Sequence, residues 1–171
     1  SASWLHGGVL HILFNMLWVR QLGPATADIY GPGRMVIIYT LAGAAGFTLS
    51  SLGGFFMGWM PIPFLRGAYM TVGASASIFG LLGALAYYGR RGGSSIIRSE
   101  AMGYAITLGI MGFILPNVDN YAHGGGFLGG YLAGMWLDPL KPERMDHLVG
   151  AALCLLLTAL AIAASVVTLS L

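Results

Sequence analysis

Apolar residues fall into six long stretches, separated by short clusters of glycine, proline and charge. In order they run roughly from Trp4 to Leu22, Met35 to Leu52, Val72 to Tyr88, Ala101 to Leu115, Tyr121 to Leu137 and Leu148 to Leu171. A helix needs about 20 apolar residues to cross a bilayer, or somewhat fewer at the short end. The third and fifth are short, as suits helices wrapped by their neighbours. Pro24, Pro32, Pro61, Pro63, Pro116 and Pro139 are read as lying in or beside connections, where proline is tolerated. The pattern predicts an all-α, polytopic transmembrane helix bundle with six spans and no soluble domain.

Composition supports that reading. Hydrophobic residues make up 57% of the 171 positions and charged residues only 8%, with a mean hydropathy of +0.78. Soluble domains carry about 25% charge, so a soluble enzyme is excluded. The 27 glycines suit helices packed closely in lipid. Cys154 is the single cysteine, which rules out a disulfide framework or a thiol metal site. No cleavable signal peptide is evident. The chain opens Ser1-Ala2-Ser3 without methionine, so a fragment or processed product is expected.

The net charge of +2 matters less than where the cations lie. With the Arg90, Arg91 and Arg98 connection on the cytoplasmic side, alternation also places Arg20, Arg34, Lys141 and Arg144 there. Only Arg66 is left outside, and this asymmetry sets the orientation. The first segment then runs inward. The outer loop from Gly53 to Gly73, with Phe55, Phe56, Trp59, Phe64 and Tyr69, is expected to lie in the membrane interface.

A few polar residues interrupt the spans. Ser75 precedes Arg90 by 15 residues and His123 precedes Asp138 by 15, so each lies about 22 Å above the cytoplasmic charges. Both sit on the outer side at matched depth. His11 and Asn15 are four apart and share a helix face, with His6 about 140° around the helix from His11. Taken alone, Gly73-Ala74-Ser75-Ala76-Ser77-Ile78-Phe79-Gly80 favours simple helix packing, and His123 alone is equally a hydrogen-bonded bundle histidine. Ionisable groups in a bilayer nonetheless point to function. Ser75 with His123 permits a dyad in which the histidine takes the serine proton and returns it to the leaving amine. The Asn15 amide, the His11 ring and the Ser75 backbone N–H can serve a developing oxyanion. No span carries a carboxylate at this depth, and Asp119 is not assigned as a third member. Gly126, Gly130 and Gly134 form a small stripe on the histidine helix, with Gly125, Gly129 and Ala133 as a second row. Ala76, Gly80 and Ala84 form a facing stripe on the serine helix. Phe79, one turn below Ser75, is placed to stack on His123.

These residues resemble the rhomboid intramembrane serine proteases. The resemblance rests on three motifs: His-x4-His-x3-Asn at His6, His11 and Asn15; Gly-x-Ser with a downstream glycine at Gly73, Ser75 and Gly80; and Ala-His-x2-Gly-x3-Gly at Ala122, His123, Gly126 and Gly130. It implies a rhomboid-like catalytic membrane core over residues 1–138, followed over 139–171 by a cytoplasmic linker and an additional C-terminal helix. It implies Ser75 as nucleophile, His123 as general base and acid, and an oxyanion hole of His11, Asn15 and the Ser75 N–H, with His6, Gly73, Phe79, Gly80, Gly126 and Gly130 supporting. Substrates would be single-span membrane proteins cut in or beside the span. No cofactor, metal or nucleic acid is implied. The expected location is a plasma (inner) membrane, with the site opening to the outer side. The chain departs from the family by carrying Ala76 where many members have glycine, and by lacking the family's first helix and long outer loop. Ser77 is expected to point about 200° away from Ser75. Two rivals remain: a catalytically inactive relative that binds transmembrane helices, and a channel or transporter using His6, His11 and His123.

Overall fold

The computed structural model describes residues 3, 5–61, 71–115 and 118–169. Among them are six helices and no strand: α1 (Val9–Tyr30), α2 (Pro32–Met57), α3 (Ser75–Arg91), α4 (Ser95–Ile114), α5 (Asn120–Trp136) and α6 (Met145–Leu169). Each expected apolar stretch forms a helix, but several ends move. The largest correction concerns α1, which does not stop at Leu22. It passes through Pro24 and continues to Tyr30, so it also contains Arg20 and Asp28. Tertiary contacts override the proline: Leu22, Thr26 and Tyr30 are buried, and the Tyr30 hydroxyl donates to the Ala84 carbonyl at 2.9 Å. Gly31 alone joins α1 to α2. It adopts φ +91°, a left-handed conformation that glycine reaches without a steric cost. Pro32 then occupies the first helical turn, where a missing N–H costs nothing.

Other boundaries shift for local reasons. The expected outer loop begins later than Gly53, because α2 persists to Met57. α4 starts at Ser95 because the Ser94 hydroxyl caps it, accepting from the Ile97 N–H at 3.4 Å. Pro63, Phe64, Arg66, Tyr69 and Pro116 lie outside the described residues.

α3 is the central helix. Leu81, Leu82 and Ala84 are fully enclosed, and α2, α4 and α5 surround it, with α1 lying across α2 and α3. The two small-residue rows of α5 face different partners. Any side chain at Gly126 or Gly130 would run into the backbone of Ala76 or Gly80 on α3. A Cβ at Gly125 or Gly129 would instead press on Leu49 or Ala45 of α2. The facing pairs Ala76–Gly126, Gly80–Gly130 and Ala84–Gly134 keep a constant offset, so α3 and α5 run parallel in fixed register. α6 packs against α2 and is otherwise open.

Much of the outer surface is apolar, including Val9, Leu10, Phe113, Ile114, Leu157 and Val166. Exposed apolar area of this extent marks a surface meant for something other than water. α2 and α6 are, by length and composition, apolar enough to cross a membrane. α3 and α5 have 17 residues each, about 26 Å of helix. Arg34, Arg90, Arg91, Lys141 and Arg144 lie at the end where α3 and α5 finish, and there the Arg34 guanidinium is buried. Its Nη1 donates to the Leu137 and Asp138 carbonyls at 2.9 and 3.0 Å. The Arg34 backbone N–H donates to Glu143 at 2.8 Å. Arg34 therefore ties the start of α2 to the end of α5 and the linker beyond it.

Candidate active site

The parallel register of α3 and α5 fixes the relative heights of the two central residues. Because Ala76 faces Gly126, Ser75 is level with Gly125 and His123 with Gly73. They therefore lie within about 3 Å along the bundle, two residues of helix rise. Ser75 is the first residue of α3 and His123 stands in the first turn of α5. The His123 ring stacks on Phe79, with centroids 4.1 Å apart and planes 14° from parallel. Phe79 follows Ser75 by four residues and shares its face. The imidazole thus lies on the face of α3 that Ser75 begins. Among the described residues no hydrogen bond joins the Ser75 hydroxyl to the ring, and His123 Nδ1 is buried without a hydrogen-bond partner.

Ser77 turns the other way. It is buried against α2, its Oγ 2.5 Å from where a Cβ on Gly43 would sit. Ala76 directs its methyl toward Gly46 of α2. A glycine there would leave a gap in the three-helix junction.

α1 brings the remaining groups. Asn15 is only 2% exposed, and its Nδ2 donates to the His11 carbonyl at 3.0 Å. That bond uses one amide proton and leaves the other. His11 Nδ1 accepts from the Gly7 N–H at 3.3 Å, so a neutral ring carries its proton on Nε2. Both side chains converge on Gly73: a Cβ there would lie 2.7 Å from His11 Nε2 and 3.6 Å from Asn15 Nδ2. Gly73 also has φ +117°, so conformation and space both require glycine two residues before Ser75. The His6 ring meets His11 edge-on, with centroids 5.1 Å apart. Gly80, Gly126 and Gly130 lie below, in the α3–α5 seam.

Two features were not found from the sequence. α4 and α5 have side-chain N-caps, Ser94 and Asp119, whereas no side chain caps α3. The first-turn N–H groups of α3, at Ser75 and just beyond, lack intrahelical partners and carry the positive end of the helix dipole. An anion beside Ser75 would meet both. The only sign of this in the sequence is an alanine, Ala74, at the capping position. The second feature is Asp119, whose carboxylate accepts from Ser50, Thr71 and the Ala122 N–H. Ser50 is distant in sequence and gave no local signal.

A family model described as the Rhomboid domain matches residues 1–140. RHOMBOID-like protein 7 of Arabidopsis thaliana is 37% identical over 145 residues, which cover 80% of this chain and 41% of that protein. Rhomboid protease GluP of Bacillus subtilis (strain 168) is 34% identical over 132 residues, covering 75% of this chain and 24% of that one. Putative rhomboid protease YdcA of the same bacterium is 31% identical over 149 residues, 82% of this chain and 66% of the relative. The chain thus spans less than half the length of the first two proteins. With His11, Asn15, Ser75 and His123 at one end of the six described helices, these matches establish that the chain belongs to the rhomboid family of integral membrane proteins, which includes proteases.

Proposed function

We propose that the chain is an intramembrane serine endopeptidase that cuts membrane proteins in or next to a transmembrane segment. The observation carrying this reading is the stack of His123 on Phe79, one turn below Ser75, with His11 and Asn15 converging on Gly73. In this reading residues 1–138 form the catalytic membrane core, while 139–171 supply a cytoplasmic linker and an added helix. All six helices cross the bilayer. The arginine-rich end faces the cytoplasm, and the site opens to the outer side of a plasma (inner) membrane.

Each half of the reaction needs two proton transfers and one anion site. His123 accepts the proton of Ser75 as Oγ attacks the scissile carbonyl carbon. The carbonyl oxygen becomes an oxyanion beside the uncapped start of α3. There the Ser75 N–H, the free Asn15 amide proton and His11 Nε2–H supply donors. Collapse breaks the C–N bond, and His123 returns its proton to the departing amine. Water then attacks the acyl carbon with His123 again as base; the Ser75 Oγ–acyl bond breaks, His123 returns the proton to Oγ, and the new carboxyl terminus leaves. A rigid stack on Phe79 keeps the imidazole from rotating away between steps. Single-span proteins whose helix unwinds near the site are the substrate class that such a shallow dyad would accept.

Cleavage of a single-span reporter in reconstituted vesicles tests the reading. Ser75→Ala and His123→Ala should each abolish cleavage while the helix content and melting temperature stay near wild type. Retained binding of the reporter with no cleavage by the wild-type protein would favour an inactive helix-binding relative instead. Activity that survives Ser75→Ala but not Ser77→Ala would show that Ser75 is not the nucleophile.

A further inference from the structure

Asp119 makes more bonds at the site end of the bundle than capping requires. Its Oδ1 accepts the Ala122 N–H at 3.0 Å, which is sufficient to cap α5. Its Oδ2 accepts from two hydroxyls on other parts of the chain, Ser50 Oγ and Thr71 Oγ1. Those hydroxyls also lie 2.9 Å from each other. Ser50 sits on the last third of α2 and is 2% exposed. Thr71 belongs to the chain entering α3, two residues before Gly73 and four before Ser75. One carboxylate therefore joins α2, the approach to α3 and the first turn of α5.

The position of this polar layer is informative. One turn below Ser50, Gly46 packs against the Ala122 carbonyl, the Ala76 methyl and the Gly126 N–H. That apolar junction holds the bodies of α2, α3 and α5 together. In the segment that precedes α3, Gly73 and Ala74 are buried, whereas Thr71 and Val72 are only half-buried. Thr71 is fixed through its hydroxyl, and hydrogen bonds to a charged acceptor are about twice as strong as neutral ones.

We propose that Asp119 is a positioning residue. Through Thr71 and Ser50 its carboxylate clamps the entry to α3 onto the first turn of α5, and so sets how closely Ser75 approaches His123. The proposal rests on the reading of Ser75 and His123 as the catalytic pair. Asp119 does not touch the reacting atoms, and it is not aligned on His123 Nδ1. Its effect passes through the backbone on either side.

The variants separate clamp from cap. Asp119→Asn keeps an oxygen for the Ala122 N–H but replaces the doubly accepting oxygen with a donor. Thr71→Val removes one hydroxyl at constant shape, and Thr71→Ser restores it. Four quantities are measured on the protein in vesicles: kcat and KM for a single-span reporter, hydrogen exchange over residues 71–77, and melting temperature. Asp119→Asn and Thr71→Val should each lower kcat about tenfold, since small misplacements of reacting groups cost rate, with KM within twofold. Exchange over 71–77 should quicken, Thr71→Ser should recover both, and the double variant should be no worse than Asp119→Asn. Thr71→Val carries the test if Asp119→Asn fails to fold. Unchanged exchange overturns the clamp, whether or not the protein cleaves. Faster exchange with unchanged kcat overturns its role in positioning, and so does a Thr71→Ser variant as slow as Thr71→Val. A wild-type protein that cleaves nothing refutes the protease reading, and with it any role for the clamp in catalysis, while exchange still decides whether the clamp exists.

Discussion

As the proposed oxyanion donor, Asn15 is a side chain positioned by its own helix. One amide proton is bound to the His11 carbonyl four residues back, which fixes the plane of the amide and directs the rest of the group toward Gly73. A donor held in advance stabilises charge that appears only in the transition state, so its loss should lower kcat and leave KM nearly unchanged. Asn15→Ala is expected to reduce kcat about 10²-fold, the low end for removing one oxyanion donor. Reporter kinetics check this; an unchanged kcat with a raised KM would place Asn15 in substrate binding. The spacing of His11 and Asn15, and the opposed directions of Ser75 and Ser77, were legible in the sequence because helical periodicity dictates them. The positive φ of Gly73 and the uncapped start of α3 were not, because both depend on how the preceding loop returns to the bundle.

The helices set the distance that these residues must span. α5 uses one row of small residues against α3 and a second row against α2, so three backbones meet with little more than β-carbons between them. Such close approach leaves no slack. Gly130→Ala would put a methyl into the Gly80 backbone. Overpacking of this kind costs about 1–3 kcal/mol, and here it also pushes α3 from α5 directly below the candidate site. Gly124→Ala, beside His123, meets nothing within 4 Å. Gly130→Ala should therefore lose both melting temperature and cleavage, whereas Gly124→Ala should retain both, as thermal melts and reporter assays will record. The stripe facing α3 was readable because small residues recur every four positions. The partner of the second row was not, since two small rows on a helix do not say which neighbour takes which. The end of α1 was misread for a similar reason. Arg20 and Pro24 look like a stop until Tyr30 is seen bound to Ala84.

Across the described residues, the Arg34 tie and the candidate site lie at opposite ends. Buried Arg34 holds the carbonyls at the end of α5 while its backbone N–H is tied to Glu143. Arg34→Met keeps much of the apolar stem but leaves those carbonyls unmet, at a cost of about 2–3 kcal/mol. It should lower the melting temperature and leave kcat at low temperature within a few-fold of wild type. A fall in kcat as large as that of Asn15→Ala would mean that the two ends are coupled. The six-helix plan and the concentration of cations at one end were visible in the sequence, because apolar runs and charge asymmetry are global signals. The burial of Arg34 was not, because an arginine beside a helix start usually stays in water.

The central claim is that Ser75 is a nucleophile activated by His123. Its most direct test is labelling with a fluorophosphonate probe, with the modified residue located by mass spectrometry in wild-type, Ser75→Ala and His123→Ala proteins. The account predicts modification at Ser75 in the wild type, none in Ser75→Ala, and a loss of labelling in His123→Ala. Labelling at Ser77, or labelling of Ser75 that proceeds equally well without His123, would contradict it.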